Sequence, residues 1–252
     1  MNTVTLRKLH IGHGMPKVIV PIAEISREGI LAMGKKLRPL NADAVEWRAD
    51  FYDGLRDTDG VLSLLRELRS VLGDMPLIFT CRTAKEGGMA DISDTEYAML
   101  NTKALHSGYA DAIDIEALSH GEHSNLLIRE TRELGCVSIG SFHIMHMPPY
   151  AELVDTLDAI HRTGTDITKL AAMAASTEDA LVLMGAARQA KARGVSPLIA
   201  IAMGEQGVIS RILAELSGSD AVFAAASKAS APGQLSLGAM REILKAVHEN
   251  IR

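Results

Sequence analysis

One lysine stands inside the run Asp166-Ile167-Thr168-Lys169-Leu170-Ala171-Ala172-Met173-Ala174, a stretch of β-branched, apolar and small residues that reads as a buried strand. Lysine is rarely buried, because its ammonium gives up several kcal/mol of hydration in an apolar site. Either its stem snorkels along apolar surface with the head in water, or the amine itself is needed there. The preceding apolar run ends in Ser141-Phe142-His143, which sets an imidazole beside the lysine if the two runs are neighbouring strands. A lone histidine at a strand end is more often a hydrogen-bonded structural residue, but one facing a strand-borne lysine is a candidate proton carrier. A lysine amine attacks a carbonyl only in its neutral form, which burial and nearby cations favour. Arg48, Arg82 and Arg211 are the candidate cations. Once formed and protonated, the imine is an electron sink that acidifies the adjacent carbon, and a histidine in reach can move that proton. Lysine, histidine and a carboxylate-binding arginine together suit imine-mediated lyase or aldolase chemistry.

The elements that position these groups follow from the apolar periodicity. Short aliphatic runs occur at Val18–Ala23, Ala44–Phe51, Leu77–Arg82, Ala112–Ala117, Val137–His143, Ile167–Ala174, Pro197–Gly204 and Ala221–Ser227. Between them lie amphipathic stretches: Asp59–Leu72, Asp94–Ser107, Glu122–Leu134, Tyr150–Thr163, Ser176–Arg193 and Gln206–Leu216, with Leu237–Asn250 after the eighth run. Eight strand–helix units predict an α/β protein, a single (β/α)8 TIM barrel over residues 18–252. Residues 1–17 form an extension whose Val4–Ile11 part has loose strand character, a short hairpin or arm capping the N-terminal mouth. No linker or shift in composition divides the chain.

Residues two apart on a strand share a face. Glu46, Arg48 and Asp50 therefore lie opposite Val45, Trp47 and Ala49, and Asp114 and Glu116 lie opposite Ile113 and Ile115. The apolar sets suit the helix-facing side, so the charged sets point into the barrel, joined by Arg82 and Lys169. Charges inside a barrel are tolerable only if they pair. For Asp114 and Glu116 an ion-pair plug that merely fills the barrel is the competing reading. Catalytic groups of such barrels gather at the C-terminal strand ends and the loops beyond. There, Arg82-Thr83-Ala84-Lys85-Glu86-Gly87-Gly88 reads as a flexible loop placed to cover a ligand. Gly204 and Gly207 after strand seven could form a phosphate nest. Arg211, at the start of the helix that follows, could instead hold a carboxylate bidentately.

The 252 residues are 47% hydrophobic and 23% charged, with only 4% aromatic and a net charge of −5. Nothing there points to nucleic acid or anionic lipid. No apolar run reaches the roughly 18 residues that span a bilayer, and Arg7, Lys8, His10 and His13 interrupt any signal-peptide core. A cytoplasmic setting is expected. Cys81 and Cys136 fall at opposite ends of parallel strands, roughly 15–20 Å apart at about 3.3 Å per residue, so both are expected as free thiols. The spacings His120/His123 and His143/His146 lack convincing further ligands, the first pair lies in a polar loop, and no metal is expected.

In the order they occur, Glu46-Trp47-Arg48-Ala49-Asp50, Arg82-Thr83 with Glu86-Gly87-Gly88, Asp114-Ile115-Glu116, Ser141-Phe142-His143, Lys169, Met203-Gly204 through Ser210-Arg211, and Ser230-Ala231-Pro232-Gly233-Gln234 resemble the type I 3-dehydroquinate dehydratases. The motifs cover nearly the whole chain and are specific together, though not singly. The resemblance implies a homodimeric barrel enzyme of the shikimate pathway with no cofactor, whose small-molecule substrate is 3-dehydroquinate. It implies that Lys169 forms the imine, that His143 moves the proton, and that Glu86 orients His143. It further implies a carboxylate clamp of Arg211, Ser230 and Gln234, ring-hydroxyl contacts from Glu46, Arg48 and Arg82, and Met203 packing on the ring. Asp114 and Glu116 support the charged interior. Ile144 and Ala174-Ala175 depart from the family pattern in the loops after strands five and six without removing a catalytic group. No fused dinucleotide-binding domain is expected in these 252 residues. Two other readings are an imine-forming aldolase acting on a sugar phosphate, which would need phosphate binding after strands seven and eight, and an inactive barrel serving as a scaffold. Retention of Lys169, His143 and Glu86 together speaks against the scaffold.

Overall fold

The computed structural model describes residues 2–40, 42–226 and 233–251. A two-stranded antiparallel hairpin, β1 (Val4–Leu6) and β2 (Leu9–Ile11), comes first. Eight parallel strands follow: β3 (Lys17–Ile22), β4 (Ala44–Arg48), β5 (Leu77–Thr80), β6 (Ala112–Glu116), β7 (Val137–Ile144), β8 (Ile167–Met173), β9 (Leu198–Met203) and β10 (Ala221–Phe223). They run in the order β10-β3-β4-β5-β6-β7-β8-β9. The seam between β9 and β10 is bridged just below β10. There Asp220 N donates to Leu198 O at 2.6 Å, Leu198 N to Asp220 Oδ2 at 2.7 Å, and Ala200 N to Ser219 Oγ at 3.1 Å.

Outside the strands lie α1 (Arg27–Leu37), α2 (Thr58–Leu72), α3 (Asp94–His106), α4 (Glu122–Glu133), α5 (Tyr150–Arg162), α6 (Thr177–Ala192), α7 (Val208–Ile212), α8 (Ala214–Ser217) and α9 (Leu237–Asn250). Their starts are set by side-chain caps. Asp57 accepts from Gly60 N at α2, and reciprocal capping boxes open α3 (Ser93 with Glu96) and α6 (Ser176 with Asp179). α2 buries Val61, Leu64, Leu65, Leu68 and Leu72 against the outer face of the sheet, each side chain worth about 1.5–3 kcal/mol of burial. Trp47 lies on that outer face, fully buried and edge-on to Phe79 at 5.6 Å.

The eight-unit pattern and the outward apolar set are as the sequence predicts. α1 was not picked out by periodicity, since only Ile30, Gly34 and Leu37 of its eleven residues are buried. The stretch expected as one helix over 206–216 is broken into a 3-10 turn (Glu205–Gly207), α7 and α8. Three expected strands also end early. β4 stops at Arg48 and gives way to a 3-10 turn (Ala49–Phe51), β5 stops at Thr80, and β10 at Phe223.

Alternation inside the barrel stacks an apolar floor beneath a charged level. The floor is Ile19, Ala44, Ile78, Ala112, Ile139, Ile167, Ile199 and Ala221, closed from below by Leu6 and Ile11 of the hairpin. The hairpin therefore plugs the N-terminal mouth, as expected. Two residues further along five of these strands come Glu46, Thr80, Asp114, Ser141 and Lys169, with Pro21, Ile201 and Phe223 on the other three, and there the site begins.

Candidate active site

Lys169 projects from the middle of β8 with its side chain 5% exposed. Its ammonium donates to Asp114 Oδ2 at 2.8 Å, lies 3.5 Å from Glu46 Oε1, and sits over the Phe223 ring at 4.7 Å from the centroid. Glu46 also accepts from Thr80 Oγ1 at 3.0 Å. The amine's nearest charged neighbours are thus carboxylates, which corrects the expectation that Arg48, Arg82 and Arg211 crowd it.

Asp114 is held from its other oxygen by Arg82 Nη2 at 2.5 Å and Ser141 Oγ at 2.6 Å. Burial alone would favour the neutral acid. The Arg82 guanidinium, then the Lys169 ammonium, override it and hold the carboxyl well below the usual range. Arg82 is the hub of this interior. Its Nη1 donates to Glu86 Oε2 at 3.1 Å, Glu116 Oε1 at 3.2 Å and Ser141 Oγ at 3.0 Å. Five donors on a planar fork allow one arginine to serve three buried carboxylates. A buried charge cluster survives only when every member is paired, and this one is.

Glu86 lies on a 3-10 turn (Ala84–Glu86) after β5. This loop is not the flexible cover expected from its paired glycines. Gly88 N donates to Thr83 O at 2.8 Å, Ala84 N to Ala90 O at 2.9 Å, and Ala90 N to Arg82 O at 3.2 Å. A Cβ on Gly88 would meet Arg82 O at 2.1 Å, so only glycine lets the chain fold back so tightly. The turn carries Glu86 to His143, whose backbone N–H and Nδ1 lie 3.1 and 2.8 Å from Glu86 Oε2. Ser119 Oγ donates to the other carboxylate oxygen at 2.5 Å. Burial pushes Glu86 up to about 7, with Arg82 pulling against it. Burial, then Arg82 and Lys169, pushes His143 well below the ordinary imidazole range. A neutral imidazole whose Nδ1–H is taken by Glu86 keeps a lone pair on Nε2, the state a base requires.

Glu116 is saturated by other means. Thr83 N and Thr83 Oγ1 each donate to it at 2.7 Å, and His120 Nε2 lies 2.6 Å away. The ring of His120 is buried, stacked on Tyr97 at 4.0 Å, with Nδ1 at 2.7 Å from Asp94 Oδ1. His120 does stand in the loop between β6 and α4, as expected, but it is buried there. Neither Cys81 nor Cys136 is bonded in a disulfide, and burial pushes both thiols well above the ordinary thiol range, which disfavours the reactive thiolate.

The rim of the cavity holds the remaining groups. Arg48 donates twice to buried Asp50, Nε to Oδ1 at 2.9 Å and Nη2 to Oδ2 at 2.8 Å. Asp50 also accepts from Arg82 N and Met89 N, at 3.3 and 3.1 Å. Arg211 enters from α7, its Nη1 donating to Ala202 O at 3.0 Å. The turn before it presses on β9 so closely that a Cβ on Gly207 would meet Ala202 O at 2.1 Å. Arg211 is buried, its Nε has no hydrogen-bond partner, and among the described residues no carboxylate pairs with it. Burial alone lowers it to about 10. Met203 and Gln234 line the same cavity as Glu46, Arg48, Arg82, His143, Lys169 and Arg211. Ser230 and Pro232 lie outside the described residues. Asp50, Ser141, Thr83, Ser119 and Phe223 were not given roles from sequence. Asp50 was visible as an inward position, and Ser141 stands inside a quoted motif, but nothing in their spacing names their partners.

A parallel barrel with a buried lysine, an imidazole held by a carboxylate and an arginine that no described carboxylate pairs, all facing one cavity, defines the class, an imine-forming barrel enzyme. The comparisons then give the family. Residues 18–251 match the type I 3-dehydroquinase family, and the chain belongs to it. It is 38% identical to a 3-dehydroquinate dehydratase of Bacillus licheniformis over 250 residues, 98% of each chain, and 36% identical to one of Alkaliphilus oremlandii, over 99% of this chain and 98% of that one. In structure it is similar to the type I 3-dehydroquinate dehydratase of Clostridium difficile crystallised with covalently modified comenic acid. The TM-score is 0.95 at 34% identity, covering 99% of both chains.

Proposed function

We infer that this chain dehydrates 3-dehydroquinate to 3-dehydroshikimate, a step of the shikimate pathway, through an imine on Lys169. The neutral amine attacks the substrate ketone, and loss of water gives the imine. His143 Nε2 takes the proton from the adjacent carbon, and the electron pair is stored in the imine system. His143 then returns that proton to the departing hydroxyl, which leaves as water, and hydrolysis of the conjugated imine frees Lys169 and product. The net change is loss of one water.

The observation that carries this reading is a buried lysine sharing one cavity with an imidazole whose Nδ1 is taken by Glu86 at 2.8 Å. Glu86 holds the tautomer. Arg211, with Nε unpaired, is suited to bind the substrate carboxylate, with Ser230 and Gln234 completing the clamp. Glu46, Arg48 and Arg82 receive ring hydroxyls, and Met203 packs on the ring. Asp114 and Glu116 hold the cations in place. Residues 1–252 act as one barrel domain in the cytoplasm, and the family resemblance implies a homodimer. No observation favours a sugar phosphate.

Following the rise of the conjugated product's ultraviolet absorbance tests the reading. Wild-type protein should turn over 3-dehydroquinate, while Lys169→Ala should lose at least about 10³-fold of kcat, the scale on which covalent and acid–base groups act. An unchanged rate in that variant would refute it. Light scattering near twice the chain mass tests the dimer.

A further inference from the structure

His120 is among the buried titratable groups that the mechanism above leaves unused. His120 lies just past β6, its side chain fully shielded from solvent, with a carboxylate on each ring nitrogen: Glu116 Oε2 at 2.6 Å and Asp94 Oδ1 at 2.7 Å. A neutral imidazole has one N–H and one lone pair, and a lone pair facing a carboxylate oxygen at such distances is repulsive. Two carboxylates are both satisfied only when both nitrogens carry hydrogen. The ring is locked in place by Tyr97 stacked on its face, and Tyr97 OH in turn accepts from Glu116 N at 2.9 Å.

Charge balance points the same way. Arg82 and Lys169 supply two cations to four buried carboxylates, Glu46, Glu86, Asp114 and Glu116. A cation at His120 lessens that excess of negative charge.

We propose that His120 is a positioning residue of the dehydration: a buried imidazolium that neutralises Glu116 and so sets the field in which ionised Glu86 holds His143 as the base. It touches neither substrate nor reacting atoms. It acts through Glu116, which shares Arg82 Nη1 with Glu86 and holds Thr83, three residues before Glu86. The groups facing His120 are Glu116 from β6, Asp94 and Tyr97 from α3, and Lys85, which reaches the same Asp94 oxygen at 2.6 Å. Behind Glu116 stand Arg82, Glu86 and Asp114. Burial works against charge on His120, and the bonds to Glu116 and then Asp94 outweigh it and raise its affinity for the proton.

The inference rests on the catalytic reading of Glu86 and His143, and two measurements keep them separable. Nitrogen-15 NMR of the imidazoles in the unmodified protein at pH 7, with His120 assigned by loss of its signal in His120→Gln, should show both nitrogens of His120 protonated. A neutral His120 would overturn the proposal whatever the enzyme's activity. In His120→Gln the uncompensated Glu116 charge should move the acid limb of kcat/KM to higher pH by roughly half a unit, a loss of about threefold at a pH below the limb. A limb that stays in place would overturn the positioning role. Should His120→Gln fail to fold, the imidazole signal that titrates least in the unmodified protein, weakened in Asp94→Asn, replaces it. A doubly protonated ring that loses its hold on the proton in that variant supports the proposal, and an unaltered ring refutes it. None of these outcomes depends on trapping an imine, which tests the catalytic reading alone.

Discussion

Glu86 Oε2 takes both the backbone N–H and the ring Nδ1 of His143, at 3.1 and 2.8 Å. One carboxylate oxygen thus fixes the strand end, the ring orientation and the tautomer together. The consequence is that the imidazole is delivered as a base only while Glu86 is ionised.

The pH dependence follows. Burial raises Glu86 to about 7, while His143 is pushed well below the imidazole range. The acid limb of kcat/KM should therefore fall near pH 7 and report Glu86. Glu86→Gln should lose about 10- to 100-fold in kcat, the scale of an orienting partner, and shed that limb. A pH–rate profile of both proteins checks this. A limb retained in the variant would assign it elsewhere.

The same residue should cost stability. Its folded-state affinity for the proton exceeds its unfolded one, so between about pH 4.5 and 7 the folded state binds more protons and stability falls as pH rises. Glu86→Gln leaves Arg82 still paired with Asp114 and Glu116. At pH 8 it should be more stable than wild type, by on the order of 1–3 kcal/mol, with the gap closing toward pH 4.5. Urea unfolding at both pH values measures it.

Asp114 is the opposite case. It holds Arg82 and Lys169 from its two oxygens, so Asp114→Asn leaves two buried cations short of a partner. A loss of about 3–5 kcal/mol is expected, read by thermal or urea denaturation at pH 7. A loss below about 1 kcal/mol would show that the ion pairs are not what holds this interior.

Among the described residues Arg211 has no carboxylate partner, and its Nε is unbonded. Arg211→Lys keeps the charge but not the planar fork, so KM should rise about 10- to 100-fold with a smaller fall in kcat. Steady-state kinetics with 3-dehydroquinate separate the two, and a pure kcat loss would contradict the clamp.

The barrel was legible because period-2 alternation and period-3.6 stripes are direct consequences of backbone geometry. Glu46 opposite Trp47, and Asp114 opposite Ile113, carried that pattern and its inward face. What escaped was what tertiary contact decides. His120 reads as an ordinary loop residue in sequence, and it is the approach of Asp94 and Tyr97 from α3, with Glu116, that buries it. Arg82 reads as the end of a strand, and its three carboxylates come from elsewhere, Glu86 from the turn after β5 and Asp114 and Glu116 from β6. The paired glycines after Glu86 suggest mobility, yet Gly88 serves close packing against Arg82 O. α1 was missed because its single apolar stripe is short.

The central claim is covalent attachment at Lys169. Borohydride added to folded protein turning over 3-dehydroquinate reduces any imine to a stable amine, and peptide mass spectrometry locates it. A substrate-dependent mass increase on the peptide bearing Lys169, with activity lost in proportion, is the expected result. Full turnover with no adduct, or an adduct on another lysine, would contradict it.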